Sequence, residues 1–332
     1  MTSYQFTKEQ HTVPRTWLKH FTMSSSNQIH VYDIHKNSYD GLKNIKKVSY
    51  IENFYDFNQE INDHFITKGV FQEPADQQIV ETKLLARKVE NNLGIVLPQI
   101  LQKLNQGKTN ILEEEQKKAF SVHIAIQMLR TSVMRNFLVK CLKKINELGT
   151  EEQKEEYQVD VEKMKELYHY GVLTNMELIT NYAQDFISKT WVFLKRGNGS
   201  MPFFISDNPI VFDNFKNGYN YCVPLSSDFL LFLVDPQYKV AIFNKPVFPQ
   251  TQPFRIENLH DYENLAVEVD ETLIKKLNLR QVEQCDHQVF ASENSFSLLD
   301  GIDLKQGGVS RINHPDFDDE IFTDFISKIL VK

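Results

Sequence analysis

A chain of 332 residues with 41% hydrophobic and 24% charged side chains has the usage of a folded globular protein, which excludes a disordered or fibrous one. Its formal net charge of −7 and pI near 5.8 disfavour nonspecific binding to long nucleic acid or to an anionic membrane surface. The 24 Phe and 13 Tyr supply core area that a mean hydropathy of −0.40 understates.

Cys141, Cys222 and Cys285 are odd in number, far apart and without a C-x-x-C pair, which argues against a disulfide framework or a zinc ribbon. The first ten residues carry no apolar leader, and no stretch is long and apolar enough to cross a membrane. The expectation is a soluble cytoplasmic protein with reduced, core-packed thiols and no membrane partner.

In chain order, Ile29–Ile34 alternates as a strand, and the serine-rich turn before it suggests a hairpin with Trp17–Thr22. A third short strand is expected at Lys46–Tyr50, and a loop followed by a short helix over Asn53–Phe65. From Gln77 to Leu104 the apolar positions follow helical spacing, with Pro98 expected to kink or split the run. A second helix is read from Leu112 to Leu148. A third is read after a Thr150–Gln153 capping box and runs to Ile187. Strands follow at Trp191–Lys195, Phe203–Ile205, Ile210–Phe215, Tyr219–Pro224 across an Asn217-Gly218 turn, Phe229–Val234 and Val240–Phe243. Leu259–Leu279 reads as a helix, His287–Ala291 as a last strand, and the remainder as a polar, acidic tail.

Segregated elements of this kind define an α+β fold: short N-terminal strands, long central helices, and a C-terminal, mainly antiparallel sheet with one or two helices. A single domain is expected, subdivided softly into 1–75 (N-terminal strands), 76–188 (helical region), 189–300 (sheet region) and 301–332 (tail). The first and last strands can share one sheet.

Phosphate-binding loops, nucleophile elbows and zinc-helix motifs are absent, and only 12 Gly are present. Two nuclease-like spacings occur. Arg15…His20 and Arg255…His260 repeat an arginine–histidine spacing outside the long helices, and Asp76…Glu81-Thr-Lys83 matches a metal-nuclease pattern but lies in helical periodicity. Two other constellations are sharper. In His11-x-x-Pro14-x-x-x-Leu18-x-x-Phe21, Pro14 fixes the backbone, Leu18 and Phe21 anchor the segment, and His11 is left to face a cleft. In Ser206-Asp207-Asn208-Pro209, an apolar strand stops abruptly at polar residues; this reads either as a structural Asx turn or as a site at a strand end. Gln127 and Arg130 sit mid-helix, and His123 shares a face with Arg130. Glu81 and Glu90 open the first long helix.

Taken in order, these features resemble an uncharacterised, mainly bacterial family, DUF4238. The resemblance rests on His11–Phe21, Val31-Tyr32-Asp33, Phe54-Tyr55, glutamates at 81 and 90, Ser206–Pro209, Pro224-Leu225-Ser226, and Asn278 ahead of Val289–Ser292. It covers about residues 10–292 and departs at Trp17, where a Tyr is expected. It implies site positions more than a reaction.

If the two motifs meet at strand ends of one sheet, a cleft collects His11 as base, Asp207 and Asn208 as further catalytic groups, and Arg130, Ser206 and Gln127 against substrate. Asp207 is then the group for a water or a divalent metal, and the substrate a nucleotide or nucleic acid. This is a hydrolase reading, nuclease-like, in a defence or toxin-like role. The competing reading is a non-catalytic protein- or ligand-binding module in which both motifs are structural. Its signature is an Asp207 whose oxygens are spent on local main-chain N–H groups.

Overall fold

Pro14, with φ −55° and no N–H to give a ladder, turns the chain out of its first strand and into a helix. A computed structural model describes residues 7–23, 26–70, 74–148, 161–215, 218–236, 262–302 and 304. The expected Trp17–Thr22 strand is therefore helical: α1 (Arg15–Leu18) runs into a 3₁₀ turn (Lys19–Phe21). Trp17, Leu18 and Phe21 are fully buried by this change. Strand β1 (Glu9–His11) pairs instead with β4 (Tyr50–Glu52) as a separate two-stranded ribbon, His11 opposite Tyr50.

The hairpin partner of β2 (Gln28–Asp33) is β3 (Ser38–Asn44), with a register shift at Val31, which faces Gly41 at φ +91°. Lys46–Tyr50 is only partly extended, since Ile45–Lys47 forms a 3₁₀ turn capped by the Asn44 side chain. Helix α2 (Gln59–Thr67) follows, its first turn closed by Asn58 accepting from the Ile61 amide.

The long helical run is not broken at Pro98. Val80–Glu90 is a π-helix, and α3 (Asn91–Asn105) continues from it through Pro98. The next two runs each divide. α4 (Glu114–Leu129) and α5 (Ser132–Leu148) are separated at Arg130-Thr131, and α6 (Val161–Thr174) and α7 (Met176–Ser188) at Asn175, which caps α7. A capping box stands at Glu113 and Gln116. The box read at Thr150–Gln153 lies outside the described residues, as do Val240–Phe243, Arg255 and His260, Asn217 of the hairpin turn, and nearly all of the tail.

Strands β5 (Thr190–Arg196), β7 (Val211–Phe215), β8 (Gly218–Pro224) and β9 (Phe229–Val234) form the antiparallel part of a five-stranded sheet, and β10 (Ala266–Val269) joins β5 in parallel. β10 occupies part of the segment read as a helix; Asp270 then caps α8 (Glu271–Gln284) through the Leu273 amide. All of β9 is buried because the sheet is covered on both faces. Phe229, Leu231 and Leu233 join the helical core, whereas Leu230, Phe232 and Val234 pack with Leu273, Ile274 and Leu277 of α8. This is the reason β9 reads as a continuous apolar run.

β6 (Ile205–Ser206) and β11 (Gln288–Ala291) complete a four-stranded sheet in the order β3-β2-β11-β6. The early strands β2 and β3 thus share a sheet with the last strand read from the sequence, β11. The fold is mixed α+β, and among the described residues no helix is long and apolar enough to cross a membrane.

Candidate functional site

The N-terminal motif is held from two sides. Trp17 Nε1 donates to the Pro224 carbonyl at 2.9 Å, and the Ser227 amide to the His20 carbonyl at 3.1 Å, so His11–Phe21 is tied to the Pro-Leu-Ser segment. On the other side, Gln127 Nε2 donates to the Thr12 carbonyl at 2.9 Å, and Arg130 Nη2 to the His11 carbonyl at 2.6 Å. Gln127 and Arg130 are one helical turn apart at the end of α4, so a single face of that helix grips two consecutive peptide units.

Arg130 is the centre of the network. Its side chain is 1% exposed, and it also gives Nε to the Tyr55 hydroxyl (3.1 Å) and Nη1 to Glu90 Oε1 (3.1 Å). The Tyr55 hydroxyl in turn donates to the His11 carbonyl at 3.1 Å. Burial opposes the guanidinium charge, but Tyr55, Glu90 and Glu81 around it raise its pKa further. Burial pushes the Tyr55 phenol up to about 12, against the pull of Arg130. With its fork spent on protein, Arg130 frames the site rather than meeting a substrate phosphate, a correction to the role expected for it. The exposed cation beside His11 is Arg15, at the start of α1.

The π-helix explains how two glutamates reach this arginine. In an α-helix of 3.6 residues per turn, positions nine apart lie on opposite faces. With i→i+5 bonds, nine residues make roughly two turns, and both ends return to one side. Glu81 and Glu90 consequently both act on Arg130 and on each other. Glu90 is paired, whereas Glu81 Oε2 is buried without a hydrogen-bond partner. Burial pushes the Glu81 carboxyl up to about 7; Glu90 and Asp56 add to this, and Arg130 and Arg15 oppose it.

His11 is half-buried beside the cluster. Burial lowers its pKa first, then Arg15, with Glu90 and the Ile45 main chain opposing. The imidazole is therefore neutral at pH 7, and its Nε2 is buried without a partner. The half-buried Tyr50 ring lies 6.1 Å from it between centroids. Tyr50 is aimed by Ser49, held at φ +51°, an uncommon conformation for a residue with a side chain. Thr12 donates through its amide to the Ser49 carbonyl (2.8 Å), the two hydroxyls lie 2.8 Å apart, and the Ser49 amide donates to Gln288 Oε1 (3.1 Å). Such strain persists where neighbours over-determine it, commonly at sites.

Ser206, Asp207 and Asn208 do not join this cluster. Asp207 is buried, and its two oxygens accept the amides of Asp286 (2.9 Å), His287 (2.7 Å) and Gln288 (2.9 Å). Burial and the Asp286 carboxylate push it up to about 7 against the pull of those amides. Asn208 Nδ2 donates to the Gln284 carbonyl, and the Ser206 hydroxyl donates within reach of Gln281 Oε1 and the Asn208 carbonyl. The turn is a main-chain clasp on the α8–β11 junction, and its link to the His11 segment runs through Gln288 and Ser49. Three main-chain amides take most of the carboxylate's roughly four acceptor sites, so Asp207 serves the backbone at this turn.

Sequence reasoning passed over Gln281 and Gln284. With Asn278 they recur every third residue on α8 and satisfy backbone that lacks a strand partner: Asn278 takes the Phe204 amide, Gln281 reaches the Pro209 carbonyl, and Gln284 bonds both main-chain groups of Phe212 on the edge strand β7. The repeated amide spacing was the available signal. The Asp76…Lys83 pattern forms an ion pair at 2.7 Å, with Glu81 turned to Arg130 instead. Among the described residues, no group of three or more His, Cys, Asp or Glu is placed to hold a metal ion.

The class defined by these observations is an α+β protein whose N-terminal histidine strand is clamped by a buried arginine between a tyrosine and two π-helical glutamates. The chain belongs to the family described as a protein of unknown function (DUF4238), whose model matches residues 9–295. No curated protein and no solved structure matches the chain.

Glu81 makes stability depend on pH in a stated direction. Its carboxyl is held at about 7 in the fold, against 4.5 ordinarily, so the fold binds the proton more tightly than the unfolded chain. That stabilisation is complete below pH 4.5 and is lost as pH rises through about 7. Glu81→Gln keeps the shape of the neutral acid. Its unfolding free energy should match wild type near pH 4.5 and exceed it by roughly 1–3 kcal/mol at pH 8. Urea denaturation of both proteins across this range tests it; a difference that does not change with pH would remove the assignment.

Proposed function

We propose that the protein is a hydrolase that opens phosphate esters of nucleotides or short nucleic acids at His11, with water as the nucleophile. The observation that carries the reading is the His11 ring. It is neutral, it keeps a buried Nε2 without a partner, and its peptide is fixed by Arg130 and Tyr55. Buried polar atoms are normally paired, so one left open on a positioned, neutral base suits proton abstraction. Arg15 meets the substrate phosphate, and Tyr50 offers a face on which a base can stack. The net charge of −7 favours short substrates over long duplexes. A defence or toxin-like role in the cytoplasm fits this chemistry.

The test is turnover of short oligonucleotides and nucleotides by the purified full chain and by His11→Gln. Wild type should release product, and the variant should lose at least about 100-fold in kcat at unchanged stability, the usual worth of a general base. Equal rates in both proteins, or product from neither, would end the hydrolase reading. The second reading, a ligand-binding module without catalysis, is favoured by the structural use of Ser206–Asn208. It predicts that nucleotides raise the melting temperature while no product forms.

A further inference from the structure

We infer that Glu81 is the proton donor of this site, delivering its Oε2 proton to the leaving oxygen of a phosphate ester whose leaving group is a poor one, a sugar hydroxyl. This rests on the hydrolase reading above.

Three features single Glu81 out. First, the π-helix is what carries it there. As an α-helix the same residues would set Glu81 and Glu90 on opposite faces, and only one could reach Arg130. π-turns are rare and collect at functional sites. Second, the two glutamates are used differently. Glu90 answers the Arg130 charge at 3.1 Å, so the second carboxyl is not needed for pairing, yet its Oε2 is held buried without a hydrogen-bond partner. Third, Arg130 ties the two groups together: it donates to the His11 carbonyl and to Glu90 of the same π-helix as Glu81, and Arg15, Arg130 and Glu90 act electrostatically on both His11 and Glu81. The charged and titratable groups acting on Glu81 are Arg130 from the end of α4, Glu90 from its own helix, Asp56 and Arg15, and the Tyr55 phenol also faces it. Asp56 is itself held by the side-chain amides of Gln10 and Gln78, which keeps it fixed beside the cluster. Their balance and the burial keep Glu81 protonated up to about neutrality while His11 stays unprotonated, an acid and a base separated by environment.

The step balances with water alone. The water oxygen bonds to phosphorus as His11 Nε2 takes its proton. The bond from phosphorus to the leaving oxygen breaks, and that oxygen takes the proton of Glu81. Imidazolium and carboxylate remain, and passage of the proton from His11 to Glu81 through solvent restores both.

The leaving group provides the test. A sugar hydroxyl needs protonation to depart; a nitrophenolate does not. Full-length wild type and Glu81→Gln are assayed on a dinucleoside monophosphate and on the nitrophenyl ester of thymidylate. The expected result is a loss of about 100-fold or more in kcat on the dinucleotide, little change on the nitrophenyl ester, and disappearance of the alkaline fall in the wild-type pH profile. Equal loss on both esters, or loss on neither, overturns the inference while leaving His11 in place. Wild type inactive on both overturns the hydrolase reading and the inference with it. A readout independent of turnover is the infrared carbonyl band of the protonated Glu81 carboxyl at pH 6, told apart from that of Asp207 as the band that wild type has and Glu81→Gln lacks. Its absence from wild type overturns the assignment whatever the activity.

Discussion

Replacing Arg130 with Met is expected to lower folding stability by roughly 3–5 kcal/mol, the cost of breaking a buried pair from one side. Three acceptors lose a donor: the His11 carbonyl, which keeps only the Tyr55 hydroxyl, the Tyr55 hydroxyl itself, and Glu90. Glu90 is 23% exposed and can recover some hydration, so most of the loss should come from the two enclosed oxygens. Arg130→Lys keeps the charge but not the planar fork that serves three directions at once, and it should fall between the two. Urea or guanidinium unfolding measures all three proteins. A Glu90→Gln background adds a check, since removing the carboxylate charge should make the Met substitution less costly. An Arg130→Met protein as stable as wild type would mean that the guanidinium does not frame the site, and would return Arg130 to the role of a substrate contact.

Asp207→Ala should cost roughly 1–3 kcal/mol, because three main-chain N–H groups lose their acceptor together at a turn that water can reach in part. The amides belong to the turn between α8 and β11, and β11 joins β2 to β6, so the damage should spread into the four-stranded sheet. Asp207→Asn should be little better, since it presents an NH₂ donor to donors. Thermal and denaturant unfolding, run beside His11→Gln, separates structure from chemistry. The Asp207 variants should lose stability, and the His11 variant should lose only turnover. An Asp207→Ala protein that keeps wild-type stability but not activity would place the aspartate in the reaction after all.

The two segments singled out in the sequence come to lie in different surroundings in the fold. Both the His11 segment and the Ser206–Pro209 turn are held by side chains from far along the chain, and both stand beside strand ends. Nothing local distinguishes an aspartate that will accept three amides from one that will face a substrate. Arg130 was recognisable as a misplaced charge in a buried helix. That its fork would close on Tyr55, Glu90 and a peptide carbonyl was not legible, because those partners come from three separate segments. The gap at Arg130-Thr131 that ends α4 is likewise invisible to apolar periodicity, which continues across it.

The order of side chains alone settled the α+β segregation, the antiparallel hairpin of β7 with β8, the fully apolar β9, and the amphipathic stripes of the central helices. Each of these follows from spacing within a few residues, where backbone geometry directly sets which side chains share a face. Tertiary structure decided the rest: that Trp17 packs from a helix, that 266–269 becomes a strand beside β5, that β2 meets β11, and that the turn around 80–90 widens until two glutamates face one arginine. Those outcomes depend on burial and hydrogen bonding shared between distant segments. Local preference is too weak to fix them, and the site exists only where they coincide.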